Sequence, residues 1–148
     1  MSFWESLRIG TSGLTAQRLR LDLISNNIAN AQTTRTEKGG PYQRQDVVFT
    51  PEQKSSFTSQ LASAHTADVN NLQGGVQVAR IVTDTAAGAV VHDPTHPDAD
   101  ANGDVTYPNV DITVEMTNML SATRSYEANL ATIDAVKRMA LKALDIGR

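Results

Sequence analysis

The sequence lacks cysteine, is poor in aromatic residues and contains no long apolar run. Without thiols, the 148-residue chain forms neither disulfides nor thiolate metal sites. Aromatic residues make up only 5% of it, so a large core would need aliphatic seams or neighbouring molecules. No apolar run reaches the roughly 18 residues of a membrane-crossing helix, so we expect a chain that does not span a membrane.

The signals of catalysis, nucleic-acid binding and secretion by a cleaved leader are also weak. The net charge is −3 and no segment forms a basic patch, so nucleic acid is not an expected partner. The chain has no Gly-x-Ser-x-Gly turn and no phosphate-binding loop, and we predict neither enzymatic activity nor a cofactor. Its first residues lack the basic and apolar segments of a secretory signal, so export would require another route.

The first segment, residues 1–31, is predicted to be a helix. A row of aliphatic residues recurs every seven positions, and a second, imperfect row lies three residues further on. The first row is Leu7, Leu14, Leu21 and Ile28, and the second is Gly10, Gln17, Ile24 and Ala31. Ser2 and Glu5 have the spacing of a capping box at the helix start.

The last segment, residues 111–148, is predicted to be a longer helix with the same period. Its first row is Met119, Tyr126, Ile133 and Ala140, and its second is Met116, Thr123, Leu130 and Leu144, interrupted by Lys137. Asp111 or Asn109 would be the N-cap, and Gly147 would follow the last turn.

The middle segment, residues 32–110, has a different pattern. Short strands are expected near residues 42–49, 75–84, 89–92 and 105–107, whereas residues 55–71 are polar without a clear period. The sequence therefore predicts an α+β fold, in which long N- and C-terminal helices pair as a coiled coil around a small β-rich insert.

The two terminal helices are expected to pair within one subunit. Their seam would use Leu7, Leu14, Leu21 and Ile28 on one side and Met119, Tyr126, Ile133 and Ala140 on the other. An insert that reverses the chain makes the pair antiparallel, and we expect Leu21 to lie within one turn of Ile133. Two helices bury little area, so the pair should be marginally stable alone.

One acidic loop contains residues of the kind that bind metal ions. Asp98, Asp100 and Asn102 resemble the first half of a calcium loop, and His92, Asp93 and His96 lie just before them. The position where such a loop needs a bidentate Glu holds Asn109, and the prolines keep the stretch extended. We therefore predict no metal site, and a turn at Asn102-Gly103 that joins two short strands.

Three asparagines close to the end of the first helix are unusual, because Asn is a poor helix former. Asn26, Asn27 and Asn30 are open to two interpretations. They could cap the last turn of the helix, or they could contact another subunit and fix its register. We assign them, with Gly10, Gly13, Leu130 and Leu144, to contacts between subunits.

Several motifs together resemble the family of bacterial flagellar rod and hook axial proteins. They are Ser12-Gly13-Leu14, Asn26 through Thr36, Gly39-Gly40-Pro41-Tyr42, Asp93 through Gly103, Tyr107-Pro108-Asn109-Val110, Glu115-Met116, Asn118-Met119, Ser125-Tyr126-Glu127-Ala128-Asn129 and Leu144-Asp145-Ile146-Gly147. The middle motifs are similar to those of the proximal-rod branch. Asp104 stands where that pattern has an aromatic or apolar residue, and residues 55–73 match no motif.

The resemblance implies a structural subunit of the proximal rod. Such a protein would leave the cytoplasm through the flagellar type III export apparatus without a cleaved signal, and would polymerise in the periplasm around the export channel. Its partners would be copies of itself, other rod proteins and possible contacts in the surrounding rings. The alternatives are another axial rod or hook subunit, a coiled-coil binding module that folds alone, and a calcium-dependent adhesin fragment.

Overall fold

A computed structural model describes residues 3–37, 39–52 and 74–146. In chain order the elements are α1 (Phe3–Ala29), β1 (Gln45–Pro51), β2 (Val76–Thr83), β3 (Val90–His92), β4 (Asp104–Thr106) and α2 (Ile112–Ile146). Two long helices therefore enclose a small β insert along the chain, and the predicted α+β architecture with paired terminal helices is confirmed.

The two helices lie side by side in antiparallel orientation. Gly10 of α1 faces Ile133 of α2, and Gly13 faces Asn129. Further along α1, Asn27 meets Glu115. Residue numbers therefore rise along α1 as they fall along α2, which defines an antiparallel pair. Leu21 lies about 16 Å along α1 from Gly10, so the expectation that Leu21 approaches Ile133 is wrong.

The ends of the helices follow from local hydrogen bonding. Asp111 accepts hydrogen bonds through Oδ1 from the backbone amides of Thr113, at 2.8 Å, and Val114, at 3.3 Å. It is therefore the N-cap of α2, one of the two candidates given by the sequence. At the end of α1, Asn30 donates its side-chain amide to the Asn26 carbonyl at 2.9 Å. The same carbonyl also accepts the Asn30 backbone amide at 3.1 Å, so two donors of residue 30 close the last turn.

The insert contains two separate antiparallel strand pairs among the described residues. β1 pairs with β2, with Val47 opposite Ile81, and a bulge lies between Val48 and Phe49. β3 pairs with β4, with Val91 opposite Val105. Gly103 has a φ of 81° just before β4, which confirms the predicted turn. The first strand begins and ends later than predicted and includes Pro51.

The β1–β2 pair lies against the first helix. The Ser12 hydroxyl accepts a hydrogen bond from the Val76 amide at 3.0 Å, and Arg8 lies 3.7 Å from the Glu52 carboxylate. Gly75 is needed here, because a Cβ at this position would overlap the Ser12 side chain. The start of β2 is thereby fixed to the side of α1 that does not face α2.

Few apolar side chains are buried inside the described parts of the subunit. They are Ala16, Leu23, Ile24, Ala31, Val105 and Ala122. Neither of the two described helices combines the length and apolar character that a membrane crossing requires. The predictions for Ser2, the polar stretch 55–71 and Gly147 fall outside the residues that the structure describes.

Candidate functional site

The seam between the helices was predicted from one heptad row on each of them, and the structure shows there a further row of α2 that the sequence analysis did not assign. The eight residues predicted to form the seam are all half-buried: Leu7, Leu14, Leu21, Ile28, Met119, Tyr126, Ile133 and Ala140. Ile133 makes a direct contact with Gly10. For the other seven, assignment to the intramolecular seam stays a prediction.

The second heptad row of α2, which the sequence analysis did not assign to the seam, is not the buried one. Met116 and Leu130 are 61% and 46% exposed, so the row to which they belong faces away from α1. Glu115 and Ala122 are buried instead, and Asn129 of the same row contacts Gly13. The rows that lie three residues and four residues before the first row both repeat every seven residues and both lie beside it on the helix. The sequence does not say which of these two rows the partner helix covers.

Small residues let the two backbones approach closely. A Cβ built on Gly10 would lie 2.7 Å from Cγ1 of Ile133, and one on Gly13 would lie 2.9 Å from the Asn129 amide nitrogen. Real Cβ atoms do not approach other atoms that closely, so these glycines accept side chains from α2. Both therefore have a contact inside the subunit, which revises their assignment to subunit contacts.

The centre of the candidate site is a buried polar cluster, which we call the polar hub: Asn27, Tyr42, Arg44, Gln45 and Glu115. Asn27 has no exposed surface. Its amide nitrogen donates to the Gln45 carbonyl at 2.8 Å and to Glu115 Oε2 at 3.1 Å. Its oxygen accepts from the Tyr42 hydroxyl at 3.0 Å and from the Gln45 amide at 2.9 Å. One side chain thus joins α1, α2 and the start of β1.

Glu115 is the charged member of the polar hub, with an exposed fraction of 1%. Its Oε1 accepts hydrogen bonds from Arg44, with Nε at 3.0 Å and Nη2 at 2.9 Å. The same oxygen accepts from the Asn118 amide at 3.2 Å. A buried carboxylate is tolerated only where a cation and further donors compensate the loss of water, and all of these surround Glu115.

The charge of Glu115 also affects its neighbours. Burial and the nearby Glu115 carboxylate both raise the pKa of Tyr42, since each disfavours the phenolate. Burial acts to lower the pKa of Arg44. Its hydrogen bond to Glu115 and the adjacent carboxylate charges outweigh burial and raise that pKa. Both groups are therefore held in the protonated form that their hydrogen bonds require.

The three asparagines of α1 have different environments. Asn27 is fully enclosed, so it offers no side-chain surface to a second subunit, and its assignment to such a contact is revised. Asn30 is half-buried, and besides capping Asn26 it accepts a hydrogen bond from the Thr33 hydroxyl at 3.2 Å. The side chain of Asn26 is exposed. The helix-cap interpretation therefore fits Asn30, and Asn26 is accessible to a neighbour.

The carboxylates of the acidic loop are bonded within the loop, to the adjacent strands or to the segment that follows α1. Asp100 Oδ1 accepts from the backbone amides of Asn102, at 2.8 Å, and Asp104, at 3.0 Å, and these bonds lower its pKa. Asp98 accepts from the Thr34 hydroxyl at 2.7 Å. Asp104 lies 2.8 Å from Nδ1 of His92. Within the described parts of the chain, no three such side chains converge on a point where a metal ion could be held.

The sequence analysis did not identify Glu115 and Arg44 as functional residues. A signal was present for Glu115, since it stands seven residues before Ala122 and fourteen before Asn129 in a row of small or polar residues. Arg44 had none, because nothing in the sequence indicates that residue 44 approaches the start of the last helix.

A pair of terminal helices that encloses a β insert, with a large part of its apolar surface uncovered, defines an axial structural protein, and comparisons with known proteins agree. A family model described as "Flagella basal body rod protein" matches residues 7–35. A second, described as "Flagellar basal body rod FlgEFG protein C-terminal", matches residues 101–146. The two matches coincide with the two ends of the chain.

Full-length relatives are more specific. Proteins called "Flagellar basal-body rod protein FlgC" match from Borreliella burgdorferi, at 43% identity over 99% of this chain and 98% of the relative, and from Bacillus subtilis, at 41% over 100% of both. The protein of that name from Salmonella typhimurium is 39% identical over 95% of this chain and 94% of its own length. This chain belongs to the FlgC family of flagellar basal-body rod proteins.

Proposed function

We propose that this protein is a non-enzymatic structural subunit of the flagellar rod, which polymerises through the outer faces of its terminal helices. Its place would be the proximal part of the periplasmic drive shaft, where it would enclose the export channel and transmit torque. The proposal rests on family membership together with the distribution of apolar surface on the helices.

The observation that carries the proposal is the apolar surface left uncovered on α2. Eight of its large hydrophobic residues are exposed: Ile112, Val114, Met116, Leu120, Leu130, Met139, Leu141 and Leu144. At about 3.6 residues per turn, all of them except Val114 and Met139 lie on one side of the helix. Soluble monomers rarely leave a long apolar stripe of this kind in water, and such stripes mark protein interfaces. Leu130 and Leu144, both assigned to subunit contacts, belong to this surface.

An open polymer is the assembly that this surface favours. The exposed apolar face of α2 and the more polar outer face of α1 differ, so a contact between them would join unlike surfaces of two copies. Heterologous contacts of this kind produce rings or helical tubes rather than closed dimers. Copies of the chain and other rod subunits are therefore its proposed partners, and rings around the rod are possible further contacts.

A weakly stable monomer also fits export in an unfolded form. The described residues bury only six hydrophobic side chains, which is little for a subunit of this size. We propose that the flagellar type III apparatus exports the chain without removing a leader, and that subunit packing supplies the missing stabilisation. The intact mass of the protein isolated from basal bodies tests this, since a processed N-terminus would contradict it.

The central test places a charge on the proposed assembly face. Leu130→Asp should abolish swimming of a deletion strain complemented with the variant, because the carboxylate would be buried against a neighbour. Export into the periplasm and the circular dichroism of the purified chain should stay unchanged, since Leu130 faces solvent in the monomer. Thr132→Asp, an exposed polar site on the same helix, is the control. Normal rods built from Leu130→Asp subunits would refute the proposed face.

A further inference from the structure

The helices differ in length, which makes a second pairing geometrically accessible. α2 has 35 residues and α1 has 27. Gly10 faces Ile133 in the antiparallel pair. Phe3, seven residues before Gly10, therefore lies beside Ala140, seven residues after Ile133. The helix α2 continues to Ile146. A shift of α1 by one heptad towards that end would therefore lose almost no helix overlap.

The apolar rows do not by themselves exclude this shift. Rows that repeat every seven residues return to the same face after a one-heptad displacement. Gly10 would then face Ala140 instead of Ile133, and the leucines of α1 would still meet α2. The hydrophobic pattern thus specifies which faces meet and leaves two registers available.

The polar hub distinguishes the two registers. After the shift, Asn27 would face Ala122, whose methyl group offers no hydrogen bond, and Glu115 would lie beyond the last residue of α1. Asn27 would then lose its carboxylate partner inside the seam, where an unpaired amide is costly, and Glu115 would lose both its bond to Asn27 and its cover by α1. We infer that Asn27, Glu115 and Arg44 select the register of the helix pair, at some cost in stability compared with an apolar seam.

The same residues connect the register to the position of the insert. Arg44 and Gln45 lie at the start of β1, and both are bonded to the hub. The register of the helices therefore also determines where the β1–β2 pair begins along α1. This inference concerns the interior of one subunit and does not depend on the proposed assembly.

Disulfide reporters can measure the register, since the chain has no cysteine of its own. Gly10→Cys with Ile133→Cys reports the observed register, because a Cβ at residue 10 contacts the Ile133 side chain. Gly10→Cys with Ala140→Cys reports the shifted one, and this variant also carries Ile133→Ala so that the new Cβ at residue 10 does not itself disfavour the observed register. Both are introduced into the full-length chain and oxidised, as purified protein and in basal bodies, and peptide mass spectrometry identifies intramolecular links.

With the polar hub intact, we expect the link to residue 133 and little to residue 140. Replacing the hub pair by Asn27→Leu and Glu115→Leu should raise the link to residue 140 at least about tenfold, which corresponds to about 1.4 kcal/mol. Asn26→Leu is the matched control, because it is the same change at the exposed neighbouring residue. It should leave the register unchanged.

Helix content, measured by circular dichroism, is recorded for every variant. If the double variant loses its helices, Arg44→Met is tested in its place. Arg44 is half-buried at the edge of the hub, and its loss leaves Glu115 without a cation. This variant should also raise the link to residue 140. The inference would be overturned if hub variants that keep their helix content still form the disulfide only with residue 133, or with neither residue. It would also be overturned if the protein with an intact hub forms the links to residues 133 and 140 equally.

Discussion

Replacing Asn27 by alanine tests how much the polar hub stabilises the subunit. The change removes four hydrogen bonds, to Gln45 twice, to Tyr42 and to Glu115. A net contribution of about 1 kcal/mol for each bond gives a sum of about 4 kcal/mol. Tyr42 and Gln45 are only half-buried and can regain water, so we expect a loss of about 2–4 kcal/mol.

A loss of this size is a large fraction of the 5–15 kcal/mol that typically stabilises a folded domain. Urea unfolding of the purified chain, followed by the helical circular dichroism signal, measures it as a lower midpoint. The control is Asn26→Ala on the exposed side of the same helix turn, where the better helix propensity of Ala should stabilise by up to about 0.7 kcal/mol.

The two variants separate burial from helix propensity, because they make the same chemical change one residue apart. If Asn27→Ala and Asn26→Ala shift the urea midpoint equally, the hydrogen bonds of the hub contribute nothing net and the reasoning fails. If Asn26→Ala alone impairs rod assembly while the monomer stays stable, Asn26 belongs to the proposed contacts between subunits.

Three further outcomes follow from the contacts. Gly10→Ala should destabilise the chain, because its Cβ would lie 2.7 Å from Ile133 Cγ1, and Ile133→Ala, which removes that atom, should cost less in urea unfolding of the Gly10→Ala variant than of the original chain. Asp111→Ala should cost about 1 kcal/mol in the same assay, since it removes the N-cap of α2. In an alkaline titration followed by tyrosine absorbance, Tyr42 should ionise above the ordinary tyrosine range.

The sign of the pH effect follows from the direction of that shift. The folded-state pKa of Tyr42 is raised, so its contribution to stability is complete below the unfolded-state pKa and is lost as pH rises through the folded one. Tyr42→Phe should remove the late-ionising group and that part of the alkaline destabilisation. If all tyrosines ionise in the ordinary range, the enclosed position of the Tyr42 hydroxyl is contradicted. If the effects of the Gly10 and Ile133 substitutions on unfolding free energy simply add, the contact between these two residues is contradicted.

The sequence by itself determined the two helices and their antiparallel pairing, and it limited the start of the second helix to two candidate caps. Heptad spacing can be recognised within each helix alone, so it predicts the helices. An insert that reverses the direction of the chain then makes the two terminal helices antiparallel. The Asp111 cap and the turn at Gly103 were readable for the same reason, since each depends on one residue type and its immediate neighbours. The family motifs at both ends supplied the functional assignment.

Only the tertiary structure decided which rows meet and what lies inside. The sequence analysis gave the row of Met116 as the second repeat of α2 and did not consider that of Glu115, which is the buried one, because both rows repeat every seven residues and only the partner helix covers one of them. It could not place Asn27 within the subunit either, since the bonds that enclose it come from residues 42, 45 and 115. Contacts between distant parts of the chain depend on where the folded backbone brings them, and no local pattern records that position.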